Sequence, residues 1–152
     1  MYYERAKSRC AGIRGKRVNL DFELRSRVRK TIGKANTALK ETQALYSQGL
    51  LPGTISRAYY AIFHSAAAVL LSRDLDIIKP SAVVPFFDRE VVKRGLIESS
   101  YQRLFIDAYE CYQLAEFDIE TVVDQRQANS MVDISQAFVQ RMEKYLQVNG
   151  WL

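Results

Sequence analysis

The most apolar run of the chain, residues 55–71, repeats its large side chains at helical rather than strand spacing. Ile55, Tyr59, Ile62, Ala66 and Val69 fall on one stripe, and Arg57, Tyr60, His64 and Leu71 on another. A helix that is apolar nearly all round is buried on most sides, so this segment, extended to about 54–73, predicts the central helix of a bundle. Before it, residues 19–48 predict a long helix with Phe22, Val28, Ile32, Ala35, Leu39 and Tyr46 roughly on one face, a bend at Gly33 and a stop at Gly49. Thr54 or Ser56 is available to cap the central helix.

After the central helix the pattern breaks at Pro80, and Pro85 predicts the first turn of a short helix over 86–94 closed by Gly95. A further helix starts at Ser99 or Ser100 with Tyr101, Leu104, Phe105, Ala108, Tyr109, Tyr112 and Ala115 at three-and-four spacing. Residues 116–120 read as a loop or frayed end. A last helix over about 123–147 turns Met131, Ile134, Phe138, Met142, Tyr145 and Leu146 inward and stops at Asn149-Gly150. These elements predict an all-α, up-and-down bundle of four to five helices over residues 19–149, preceded by a basic N-terminal arm over 1–18.

Composition narrows the function. The 152 residues suit one domain, with three prolines and seven glycines. No run is long and apolar enough for a membrane span or a signal peptide, so a cytoplasmic protein without membrane contact is expected. Cys10 and Cys111 lack CxxC spacing and His64 is the one histidine, so no metal site and no cofactor is expected, and the thiols read as reduced. The net charge of +5 is segregated: residues 1–34 carry a balance of +8 and the remainder −3. Such a basic first quarter is a footprint of RNA or another acidic partner, or else a solvated arm.

Three segments carry a family resemblance. Ser56-Arg57-Ala58-Tyr59-Tyr60-Ala61-Ile62-Phe63-His64-Ser65-Ala66-Ala67, followed by Leu70-Leu71, resembles the signature helix of HEPN domains, small helical domains often encoded beside minimal nucleotidyltransferases in prokaryotes. In the family's order, Phe86–Ile97 is similar to the segment before the third long helix and Leu114-Ala115-Glu116-Phe117-Asp118 to an Ala-Asp-Tyr-Asp ending. The resemblance, over about 20–147, implies a bundle, usually dimeric, paired with a nucleotidyltransferase in a toxin and antitoxin system or acting on nucleotides or RNA. It further implies that active members cleave RNA with an arginine and a histidine four to six residues apart, usually on a late helix. Arg57 and His64, with six residues between them, are the match here, but on the second helix.

Seven residues along a helix fall about 20° short of two turns and rise about 10.5 Å, so Arg57 and His64 share a face with Tyr60 between them. A histidine there could move a proton at a 2′-oxygen and an arginine could hold a charged phosphorane. The same stripe also reads as an interior polar network or a dimer seam. Tyr60, Lys93, Arg94, Arg103, Arg25 and Arg29 are candidate binding residues, while Tyr101, Tyr109 and Tyr112 fall on the core stripe and read as packing rather than base stacking. The leading expectation is a HEPN-type module of a nucleotidyltransferase-associated, toxin/antitoxin-like system, a homodimer that binds a nucleotide or a protein partner. The alternatives are a metal-independent ribonuclease using Arg57 and His64 across a dimer interface, and an RNA-binding bundle using the basic N-terminal segment.

Overall fold

The computed structural model describes the backbone of residues 2–77 and 79–152, and side chains from Leu20 onward with Ile78 excepted. Among the described residues five α-helices follow in order: α1 (Tyr2–Ser47), α2 (Leu51–Leu71), α3 (Pro80–Phe87), α4 (Ser99–Phe117) and α5 (Gln125–Val148). A π-helical turn, Asp88–Val92, continues α3. Among the described residues there is no strand, and the all-α bundle expected from the periodicity is what the chain forms. The arm expected over residues 1–18 falls on residues whose side chains lie outside the described ones; from Tyr2 their backbone is continuous with α1.

The centre is α2, which packs most extensively on α1, then on α5 and α4. Its predicted stripe of Ile55, Tyr59, Ile62, Ala66 and Val69 is 0–3 % exposed. Close approach to α1 is set by small side chains: Ala58, Ala61 and Ala68 on α2 and Ala35 and Ala38 on α1 are all fully buried. A larger residue at any of these would push the two axes apart, at a cost of about 1–3 kcal/mol. Around α2 the bulk comes from Phe87, Phe105 and Phe138, which meet edge to face or tilted at 5.5–5.7 Å and whose burial contributes about 1.5–3 kcal/mol each.

The turn that reverses the chain from α1 into α2 is built on Gly49 at φ 74°, a left-handed position that glycine takes without steric cost. Leu50 N–H then donates to Leu45 O at 3.0 Å, closing the end of α1 as a Schellman motif. Gly150, at φ 77°, ends α5 the same way, with Trp151 N–H donating to Leu146 O at 2.8 Å.

Several boundaries differ from the sequence expectation. The cap expected of Thr54 or Ser56 is not made: α2 begins at Leu51 with Pro52 in its first turn, and the Thr54 hydroxyl donates back to Leu50 O at 2.9 Å. Pro80 opens α3 instead of breaking it, because the first position of a helix needs no N–H, while Pro85 lies inside. Proline removes one backbone donor there, and the chain then widens into the π-helical turn before Gly95. Gly33 sits in an uninterrupted α1. Phe22, expected on the inward face, is 73 % exposed, since the buried stripe of α1 begins only at Val28 among the described side chains.

Candidate functional site

Between Thr54 and Leu71 every α2 side chain is buried except Arg57, Tyr60, His64 and Ala67. At 100° per residue these four fall within one quarter of the helix circumference. Beyond the first turn, they form the single open stripe of a helix otherwise enclosed by α1, α4 and α5. The polar stripe read from the sequence is therefore where α2 meets solvent.

His64 lies on the wall of a groove of about 340 Å³ that it shares with Arg27, Thr31 and Lys34 of α1, Ala67 and Leu71 of α2, and Asp76 and Ile77 beyond α2. Partial burial pushes its imidazole down to a pKa of about 4, with Lys34 and then Arg57 adding to the effect through their positive charge. The ring is thus neutral at physiological pH, with a lone pair able to accept a proton or a hydrogen bond. No hydrogen bond among the described residues occupies either nitrogen. Its neighbours are aromatic: Phe63 at 5.1 Å edge to face and Tyr60 at 6.2 Å.

Arg57 is held differently. Its Nε lies 2.5 Å from Glu41 Oε2, close enough for an ion pair but out of line for a hydrogen bond. The guanidinium rests 5.3 Å above the Tyr60 ring. Tyr60 in turn shares a hydroxyl contact of 3.1 Å with Tyr112, and Tyr112 stacks on Tyr59 at 4.4 Å. The hydrogen bond to Tyr60, followed by burial, pushes the Tyr112 phenol up to about 12. Tyr59 is fully buried with its hydroxyl unpartnered among the described residues, and burial raises its pKa as well. Arg57 and His64 thus share one stripe, separated by a tyrosine that is fixed from the α4 side.

The other predicted binding residues are not gathered here. Lys93 ends on Asp88 at 3.3 Å, Arg94 on Glu90 at 2.8 Å and Arg103 on Asp107 at 3.2 Å. Each is more than half exposed and pairs with a near neighbour in sequence, so they behave as solvated ion pairs. Arg25 lies 6.0 Å over the Trp151 ring and Arg29 Nε donates to Trp151 O at 3.3 Å, on the opposite flank of α1 from His64. Tyr101, Tyr109 and Tyr112 all pack against the core, as their spacing predicts. The acidic run after α4 is largely local capping: Asp118 accepts from Thr121 and from Glu120 N–H, and Asp124 forms a capping box with Gln127. Glu116 accepts instead from Ser56 of α2. Cys111 is a free thiol whose pKa is raised by burial and then by Asp107 and Glu110, and the Cys10 side chain lies outside the described residues. Among the described residues no group of histidine, cysteine, aspartate or glutamate could hold a metal ion, and no helix is long and apolar enough to cross a membrane.

Arg27, Lys34, Glu41 and Asp76 complete the site and were not singled out from the sequence. The signal was present in part: Arg27, Lys34 and Glu41 recur at seven-residue spacing, which keeps them on one side of α1. What the spacing leaves open is which neighbour that side faces.

The sequence model of the HEPN domain matches residues 28–145. The chain belongs to the HEPN family. Among its relatives is a protein of Methanocaldococcus jannaschii named "putative toxin", 31 % identical over 127 residues that cover 84 % of this chain and 94 % of the relative. A second protein of that organism with the same designation is 24 % identical over 127 residues, 84 % of this chain and 86 % of the relative. A UPF0332 protein of Thermotoga maritima is 27 % identical over 118 residues, 73 % of this chain and 89 % of the relative. The matched HEPN span contains α2 and every groove residue except Arg27, which precedes it by one position.

Proposed function

We propose that this HEPN chain is the toxin-like helical module of a pair with a minimal nucleotidyltransferase, and that it meets a phosphate-bearing ligand along the open stripe of α2. The observation that carries the reading is the groove beside His64, where a neutral imidazole and the cations of α1 converge beside the stripe of α2 left open between Thr54 and Leu71. A phosphate suits that arrangement because Lys34 and Arg27 supply charge while His64 offers a polar ring on a rigid helix. The toxin designation of two relatives supports the paired-system part of the reading. The test has two arms: co-purification with the protein encoded beside it, and equilibrium binding of ATP and single-stranded RNA to wild type and His64→Ala. Loss of binding in the variant, with the helical circular dichroism spectrum unchanged, is the expected result; equal binding removes the α2 stripe from function.

A second reading, metal-independent RNA cleavage across a homodimer seam, is favoured by one specific feature. The His64 ring faces the groove and carries no hydrogen bond among the described residues, which leaves a ring nitrogen open to a ribose 2′-hydroxyl. Arg57 would stabilise the phosphorane, after exchanging Glu41 for the phosphate. A copy related by a two-fold axis along α2 would bring two such stripes together. RNA hydrolysis in EDTA that disappears in His64→Ala is the expected outcome, and cleavage that survives the substitution excludes His64 from the chemistry.

A further inference from the structure

We propose that Asp76 is the resident anion of a phosphate site formed by Arg27 and Lys34 in front of His64, and that a phosphate-bearing ligand enters by displacing Asp76 from Arg27. The inference rests on reading this groove as the ligand-facing site and adds to it a built-in competitor.

Three features of the chain lead there. The first is the path of the backbone after α2. Asp74 takes φ 61°, the one left-handed non-glycine residue among those described, and its N–H and that of Leu75 close the end of α2 by donating to Leu71 O at 2.9 Å and Leu70 O at 3.0 Å. That turn folds the next residues back along the groove, so that Asp76 and Ile77 become part of its wall. Left-handed backbone at a residue with a Cβ costs about 1–3 kcal/mol, and aspartate tolerates it better than most.

The second is the partner Asp76 finds. Its Oδ2 contacts the Arg27 guanidinium across 49 residues of sequence, yet both side chains are about half exposed, at 55 % and 52 %. An ion pair that open to water is weak, and a guanidinium binds a phosphate at least as well through parallel N–H donors. The pair is therefore strong enough to occupy Arg27 and too weak to exclude a phosphate.

The third is Lys34, one α-helical heptad further along the same side of α1. It lines the groove and, among the described residues, ends on no carboxylate, unlike Arg27, Arg57, Lys93, Arg94, Arg103 and Arg141. A ligand phosphate can therefore be met first by Lys34 and then take over Arg27. No covalent step is involved: one anion leaves a guanidinium and another takes its place.

Affinity for ATP and for a short single-stranded RNA, measured by fluorescence anisotropy at low and moderate salt, tests this on the full chain. The two probes carry the same phosphate chemistry and separate a free nucleotide from a polymer, the RNA arm falling more steeply with salt. Asp76→Asn should tighten binding about fivefold, the order expected for release of an exposed ion pair. Lys34→Ala should weaken it about tenfold. Removing any nearby negative charge raises anion affinity slightly, so the deciding variant is Arg27→Gln with Asp76→Asn, which should bind within about twofold of Arg27→Gln alone. A gain of about fivefold from Asp76→Asn that persists without Arg27 overturns displacement, and so does the absence of a gain in the wild-type background. If Asp76→Asn changes nothing while His64→Ala abolishes binding, displacement is wrong and the ligand-facing groove stands. If neither probe binds wild type or Asp76→Asn, both readings fall.

Discussion

The two flanks of α1 carry the same kind of side chain and put it to opposite uses. Arg25 and Arg29 on one flank clasp the end of the chain, the first over the Trp151 ring and the second on its carbonyl. Arg27, between them in sequence, stands on the other flank with Lys34 in the His64 groove. Residues two apart on a helix are about 200° apart round its axis, so a run of alternating arginines is divided between two faces by geometry alone. What each face then does is set by its neighbour, the C-terminus of α5 on one side and the open stripe of α2 on the other. The lesson is that a basic segment is not one binding surface: on α1 one flank is structural and the other looks onto the candidate site.

The largest expected effect lies on the His64 flank and is read by pH. The unfolded histidine takes up a proton near pH 6.5, whereas the folded one resists until about 4. The unfolded state therefore binds more protons between those values, and stability falls as pH drops through that window. Allowing for the screening of a partly exposed ring, wild type should lose about 2 kcal/mol between pH 7 and pH 4 relative to His64→Gln in urea titrations. Equal pH profiles would mean that the ring is solvated like any surface histidine.

On the opposite flank, Trp151→Ala should lower stability by about 2 kcal/mol through lost burial and the lost cation contact, while phosphate binding stays within about twofold. A loss of binding comparable to that of Lys34→Ala would erase the distinction between the flanks. A smaller effect sharpens it: Arg25→Ala should cost about 0.5–1 kcal/mol in stability and leave affinity for RNA nearly unchanged, where Lys34→Ala does the reverse. The smallest is Arg27→Gln, whose exposed ion pair with Asp76 should be worth no more than about 1 kcal/mol by thermal denaturation.

Much of the bundle is legible in the sequence alone. The stripe from Ile55 to Val69 is buried as its spacing requires, and the helix stops at Gly49 and Gly150 fall where left-handed glycines end α1 and α5. Phe22 went astray because a helix longer than its partners carries apolar residues past the point where anything covers them. Pro80 and Pro85 exchanged roles because proline is compatible both with starting a helix and with lying inside one whose neighbours compensate. Of the candidate site, Arg57, Tyr60 and His64 were legible from spacing on one helix. Their partners Glu41, Lys34 and Asp76 were not, because each comes from a different element or turn.

The sequence by itself determined that the chain is helical, that residues 55–71 lie at its centre, and that Arg57, Tyr60 and His64 share a face, since these follow from local periodicity and the 3.6-residue turn. Only the tertiary structure decided that this face is the one left open, that Arg27 and Lys34 look onto it while Arg25 and Arg29 do not, and that Asp76 folds back to meet Arg27. Those facts depend on how helices are rotated against one another about their axes. That rotation is chosen by the fit of small residues such as Ala35, Ala38, Ala58 and Ala61 across the α1–α2 contact, a collective property of packing that no single segment encodes.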